Sequence, residues 1–149
     1  MSIFNSINTS ASALTAQRLR MDVVSSNIAN AQSTRAVLNE NGEYEPYRRK
    51  MVVMEAEGSR FKSLLQNATN TSGSSGVKVS AIIEDGEPFK LVYNPEHPDA
   101  NEAGYVEMPN VDPLQEMVDM MSSTRSYEAN ITALNASKSM LMKALEIGK

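Results

Sequence analysis

From Ser2 to Arg35 the chain contains neither glycine nor proline, and its apolar positions recur at helical spacing. Ile7, Leu14, Met21 and Ile28 fall seven residues apart, with Ile3, Val24 and Ala31 at interleaved positions. That is a narrow seam of the coiled-coil kind rather than a wide buried face. It predicts one long helix that closes on Ser25-Ser26-Asn27-Ile28-Ala29-Asn30-Ala31. A second stretch without glycine or proline runs from Leu114 to Ile147, about 50 Å long as a helix. Leu114, Met117, Met121, Thr124, Ile131, Leu134, Leu141 and Leu145 trace one apolar stripe along it. Asp112 is a natural N-cap, Pro113 suits the first helical position, and Glu116 follows in the first turn, so capping and dipole signals agree.

Between the helices the pattern changes. Residues 36–110 hold five of the six prolines and six of the seven glycines. Tyr44 to Met54 reads as a strand carrying a basic patch, Arg48-Arg49-Lys50, and Gln66 to Gly76 as a flexible loop. Val77 to Glu84 alternates as a strand with Val77, Val79, Ala81 and Ile83 on one face. Asp85-Gly86-Glu87-Pro88 predicts a turn, with Phe89 to Tyr93 as the hairpin partner, and Tyr105 to Met108 is a last short strand. The expected fold class is α+β: long terminal helices (1–35 and 111–149) pairing as a coiled-coil-like inner domain, with a small, mostly antiparallel β middle domain over 36–110.

Composition sharpens this picture. Nineteen of residues 1–34 are Ser, Ala, Asn or Thr, and only Arg18, Arg20 and Asp22 are charged before residue 32. An ordinary amphipathic surface helix would carry more Lys and Glu on its outer face. A helix of middling formers is marginal alone and needs tertiary or quaternary contact to persist. The second helix carries Met117, Met120, Met121, Met140 and Met142, whose unbranched thioethers fill irregular gaps against a partner. The net charge of −4 gives no field that recruits nucleic acid. There is no cysteine, so disulfides and thiolate-bound metals are excluded. No apolar run is long enough for membrane insertion, and Met1 to Asn8 lacks the basic and apolar regions of a cleavable signal peptide.

The termini resemble a known family. Ala11-Ser12-Ala13-Leu14 followed by Gln17 through Ala31, centred on Ser26-Asn27-Ile28-Ala29-Asn30, is similar to the N-terminal signature of bacterial flagellar axial proteins of the rod, hook and hook-associated group. Asn110-Val111-Asp112, then Glu116-Met117 and Arg125-Ser126-Tyr127-Glu128-Ala129-Asn130, is similar to their C-terminal signature. Where most members continue with a Thr-Pro-Gly-Tyr-like turn, this chain has Ser33-Thr34-Arg35-Ala36. That departure, the short length and Val92-Tyr93-Asn94-Pro95 through Gly104-Tyr105-Val106 resemble the proximal-rod members. The resemblance covers nearly the whole chain.

It implies a structural subunit that polymerises through its terminal helices into the tubular drive shaft transmitting torque from motor to hook. It implies as partners other rod subunits, copies of itself, the flagellar type III export apparatus, and rod-base adaptor and MS-ring proteins. It places the chain in the periplasm-spanning rod, exported without signal cleavage. Neither a cofactor nor enzymatic activity is expected, on the chemistry of the remaining residues.

The remaining residues carry little chemistry. His97 is the one histidine, set among Glu96, Asp99 and two prolines. No second ligand cluster accompanies it, and a solvent-facing or subunit-contact role fits the loop better than metal or acid–base work. The sequence holds no phosphate-binding loop, dinucleotide fingerprint or nucleophile elbow. Asn27 and Asn30 lie three apart on one helical face, where carboxamides fix register between helices or cap the helix end. Arg125 and Glu128 pair along their helix or bridge subunits in a packed tube. The basic patch reads as a solvated strand end. A second function fits the same segments: a cell-envelope binding module recognising peptidoglycan or a partner protein through its β domain, with the helices as a dimerising stalk.

Overall fold

The computed structural model describes residues 3–39, 42–57 and 76–147. Two long helices flank a middle of short strands, the α+β layout expected from the pattern. Helix α1 spans Ile3–Ala29 and helix α2 spans Pro113–Ile147. Between them come β1 (Val37–Leu38), β2 (Tyr44–Glu45), β3 (Lys50–Glu57), β4 (Gly76–Glu84), β5 (Lys90–Tyr93) and β6 (Tyr105–Met108). They pair as three ribbons, β1 with β2, β3 with β4, and β5 with β6.

The helix ends follow their sequence signals. The Asp112 carboxylate accepts the Leu114 N–H at 3.0 Å and the Asp112 carbonyl accepts the Glu116 N–H at 3.0 Å, with Pro113 at the first helical position. At the end of α1 the Asn30 amide donates to the Ser26 carbonyl at 2.9 Å, so Asn30 serves as a helix-end cap.

Two strand expectations are corrected. Phe89 to Tyr93 is not the hairpin partner of Val77 to Glu84. β4 pairs with β3, while β5 pairs antiparallel with β6 in the register Lys90↔Met108 through Tyr93↔Tyr105. The cause is Asn110. Its Oδ1 accepts the Arg49 N–H at 2.8 Å, and its Nδ2 donates to the carbonyls of Asp85 and Glu87 at 3.4 and 3.2 Å. These bonds, with Asp85 N–H to the Arg49 carbonyl at 2.8 Å, hold the expected turn open. The segment Tyr44 to Met54 is likewise not one strand. It breaks between β2 and β3, because Tyr47 and Arg49 turn inward instead of joining a ladder. The expected flexible loop falls mainly on residues 66–75, outside the described residues; Gly76 opens β4.

The chain divides into two compact units. One comprises residues 1–21, 52–81 and 122–149. In it α1 and α2 run antiparallel: the Ser6 and Ser137 hydroxyls meet at 3.4 Å, and the Thr124 hydroxyl reaches the Met21 sulfur at 3.6 Å. Ala16, Ser123 and Ser137 are its buried helix positions. β4 lies against α1 here, with the Val77 N–H donating to the Ser12 Oγ at 3.0 Å. A Cβ on Gly76 would stand 2.5 Å from that Oγ and 2.7 Å from the Glu57 carboxylate, so any larger residue here would make these side chains shift.

The other unit comprises residues 22–51 and 82–121. Val23, Val24, Tyr47, Val106 and Val111 are its buried apolar side chains, and Asn27, Asn110 and Glu116 are buried with them. The β5–β6 hairpin turns its Val106 face inward and leaves Leu91, Tyr93 and Tyr105 exposed. Gly104, at φ 79°, closes its loop against the Tyr93 ring.

Candidate functional site

Two features stand out: a buried polar clasp and an exposed apolar stripe on α2. The clasp is centred on Asn27, 1% exposed. Its Nδ2 donates to the Lys50 carbonyl at 2.9 Å and to Glu116 Oε2 at 3.0 Å. Its Oδ1 accepts the Lys50 N–H at 3.0 Å and the Tyr47 hydroxyl at 3.0 Å. All four hydrogen-bonding positions of the amide are filled. One side chain on α1 thereby grips the start of β3 and the first turn of α2. Of the two asparagines, Asn27 sets register and Asn30 caps.

Glu116, also 1% exposed, receives the Arg49 guanidinium at 2.6 Å. Arg49 also approaches Asp85 at 3.4 Å and Asp119 at 3.7 Å. Burial works against the Arg49 charge, but the hydrogen bonds and charges of Glu116 and then Asp85 outweigh it, so its pKa is raised. The Arg48-Arg49-Lys50 patch is therefore not a solvated strand end. Arg49 is committed inside, Arg48 stacks 4.3 Å from the Phe89 ring centroid, and Lys50 lies over the Tyr47 ring at 5.7 Å. A run of charge carries no sign of which member will be buried; that depends on the distant Glu116, Asp85 and Asp119.

On α2 the inward positions repeat every seven residues. Glu116, Ser123, Asn130 and Ser137 form one row, and Met120, Tyr127, Leu134 and Leu141 a second; each is buried or half-buried. Small and polar side chains dominate the first row, which allows close approach of the helices. Large apolar side chains make up much of the second row, but many others point outward. Leu114 is 74% exposed, Met117 50%, Met121 56% and Leu145 75%. Val118, Ile131, Met140, Met142 and Ile147 are exposed as well. Leu114, Met117, Val118 and Met121 share one helical face, at spacings of three and four.

The apolar residues singled out on α1 occupy intermediate ground. Val24 is buried, and Ile7, Leu14, Met21 and Ile28 are half-buried. The side chain of Ile3 lies outside the described residues. Around the clasp Ser26 is half-buried and Ala29 exposed. In the C-terminal signature Tyr127 and Asn130 face inward, while Arg125, Glu128 and Ala129 are exposed. Among the described residues no ion pair links Arg125 to Glu128, so the pairing along the helix is not made.

Asp99 gathers Thr34, at 2.8 Å, and Arg35. The hydrogen bond from Arg35, then that from Thr34, holds its carboxyl below the usual carboxylate range. His97 Nδ1 accepts the Asp99 N–H at 3.1 Å, which ties the histidine into its own loop. Among the described residues no cluster of His, Asp and Glu is arranged to hold a metal ion, and no helix is long and apolar enough to cross a membrane.

Large apolar side chains left exposed on one helical face suit a contact with a further protein surface. The comparisons identify the family. The family described as flagella basal body rod protein matches residues 7–36, and that described as flagellar basal body rod FlgEFG protein C-terminal matches residues 102–147. The chain belongs to the flagellar basal-body rod protein family, a class of structural proteins of the bacterial flagellum. It is 64% identical to the flagellar basal-body rod protein FlgC of Bacillus subtilis, with all of both chains covered. It is 44% identical to FlgC of Escherichia coli O6:H1, again over the whole of both chains, and 43% identical to FlgC of Borreliella burgdorferi over 99% of this chain and 98% of the relative.

Proposed function

We propose that this rod protein polymerises through the outward faces of its terminal helices, with copies of itself and with other rod subunits, into the tubular shaft that carries torque from motor to hook. The exposed apolar stripe on α2 is the observation that carries this reading. Four large apolar side chains on one face, Leu114, Met117, Val118 and Met121, are what a subunit contact buries. Residues 1–35 and 111–149 act as the inner, axial part, and residues 36–110 as the outer part. The chain travels through the flagellar type III export apparatus, and its further contacts are the rod-base adaptor and the MS ring. Its role is mechanical, with no catalytic step.

Leu114→Asp combined with Met117→Asp tests this directly. Both positions are exposed, so thermal unfolding of the isolated chain should stay where it is. Incorporation into basal bodies, and with it motility, should be lost. Normal incorporation of the double variant would remove the stripe from the assembly contact.

A further inference from the structure

The charges of this chain are divided between its two units. Residues 1–21, 52–81 and 122–149 carry nine basic and four acidic side chains, net +5, whereas residues 22–51 and 82–121 carry five and fourteen, net −9. The overall −4 hides this division. The attraction lies between unlike units, so the charges favour the acidic unit of one copy on the basic unit of the next. Contacts of that heterologous kind, when they do not close into a ring, generate helical filaments.

The acidic unit also has a receptive surface. A cleft of about 680 Å³ is lined by Tyr44, Tyr105, Glu43, Glu107, Asp99 and Asn101, among others. Asp99 is already satisfied by Arg35 and Thr34. Glu43 and Glu107 are exposed and form no ion pair with a described residue. Tyr44 is 62% exposed, and Arg35 lies against it at 5.7 Å from the ring centroid, which shows that the ring accepts a guanidinium. Phenol rings beside uncompensated carboxylates suit a cationic side chain. On the basic unit, Arg18 and Arg125 are exposed, without a described ion-pair partner, and lie within one turn of the contact between Met21 and Thr124.

We propose that this acidic, tyrosine-lined cleft receives the basic unit of a second copy, through Arg18 and Arg125, so that charge sets the direction in which copies join. The proposal rests on the rod reading and adds the electrostatic contact that orients successive subunits. Steering of this kind accelerates encounter and excludes wrong registers, and salt screens it over about 10 Å at 0.1 M.

The test uses the full chain at low salt, followed by sedimentation and light scattering. Two variants are compared with the wild type: Arg18→Glu/Arg125→Glu, and Glu43→Arg/Glu107→Arg. All four positions are exposed, and circular dichroism checks that both variants keep their helices. Wild-type self-association should weaken as salt rises. Each variant alone should need a roughly tenfold or higher concentration to associate. An equimolar mixture of the two should associate as the wild type does, because each variant restores the opposite charge for the other. Variants that associate alone like the wild type, or a mixture no better than its components, would overturn the proposal. So would a wild type that stays monomeric at millimolar concentration in low salt. Loss of binding to purified peptidoglycan in the cleft variant, with self-association intact, would reassign the cleft to cell-wall glycan. None of these outcomes touches the rod reading, which stands or falls on the presence of the chain in isolated basal bodies.

Discussion

Glu116 and Arg49 form a pair of which one member is almost wholly buried. Removing one partner leaves an uncompensated charge, and that outweighs the loss of the contact itself. Arg49→Ala should therefore destabilise the chain by about 3–5 kcal/mol. Adding Glu116→Leu should recover part of that loss, giving a non-additive cycle in urea denaturation. Additive losses would show that the two side chains act independently. Asp99 gives a pH-dependent prediction. Its folded pKa lies below the ordinary 3.8, so its contribution is present above that value and is lost as pH falls through the folded pKa. The urea midpoint of the wild type should drop more steeply in acid than that of Asp99→Asn, and the two curves should converge at the lowest pH. Parallel curves would mean that Asp99 is not held by Arg35 and Thr34. Neither partnership was legible in the sequence. Arg49 stands in a run of three basic residues, and Glu116 looks like an ordinary acidic residue of a helix first turn. Two signals mark Asn27: its carboxamide on one helical face with Asn30, and the resemblance of its segment to a family signature.

At the scale of elements, the helices were legible and the strand partners were not. Absence of glycine and proline, with Asp112 and Pro113 at one boundary, fixes α2 by local physics alone. Alternation marks β4 as a strand and the turn before Phe89 marks β5, but partner choice depends on Asn110, which bonds to residues far from it in sequence. The inward face of α2 was hidden for a related reason. Periodicity analysis seeks apolar rows, and the row that approaches α1 closely is Glu116, Ser123, Asn130 and Ser137. Leu134 and Leu141 of the apolar stripe are half-buried, whereas Leu114, Met117, Met121, Ile131 and Leu145 are exposed. Gly76 illustrates a further limit. It reads as the end of a loop, yet a side chain there would press on Ser12 and Glu57. Gly76→Val should therefore lower the unfolding temperature, although the residue opens a β-strand, where valine is intrinsically favoured. An unchanged or higher value would show that the approach to α1 is not tight.

At the scale of the whole molecule, the terminal helices meet through a mixed seam, in which a row of small and polar residues lies beside half-buried Met120, Tyr127, Leu134 and Leu141. Many large apolar side chains of α2 stay outside that seam, exposed in the single chain. The central claim concerns which side chains assembly covers, and methionine oxidation measures that directly. Met117, Met121, Met140 and Met142 are all exposed in the single chain and report on α2 along its length. The measurement is peroxide oxidation read by mass spectrometry, on the isolated chain and on purified basal bodies that contain it. The account predicts ready oxidation of Met117 and Met121 in the isolated chain and strong protection of both in basal bodies. Equal oxidation in the two states would contradict it, because the apolar stripe would then face solvent in the finished rod.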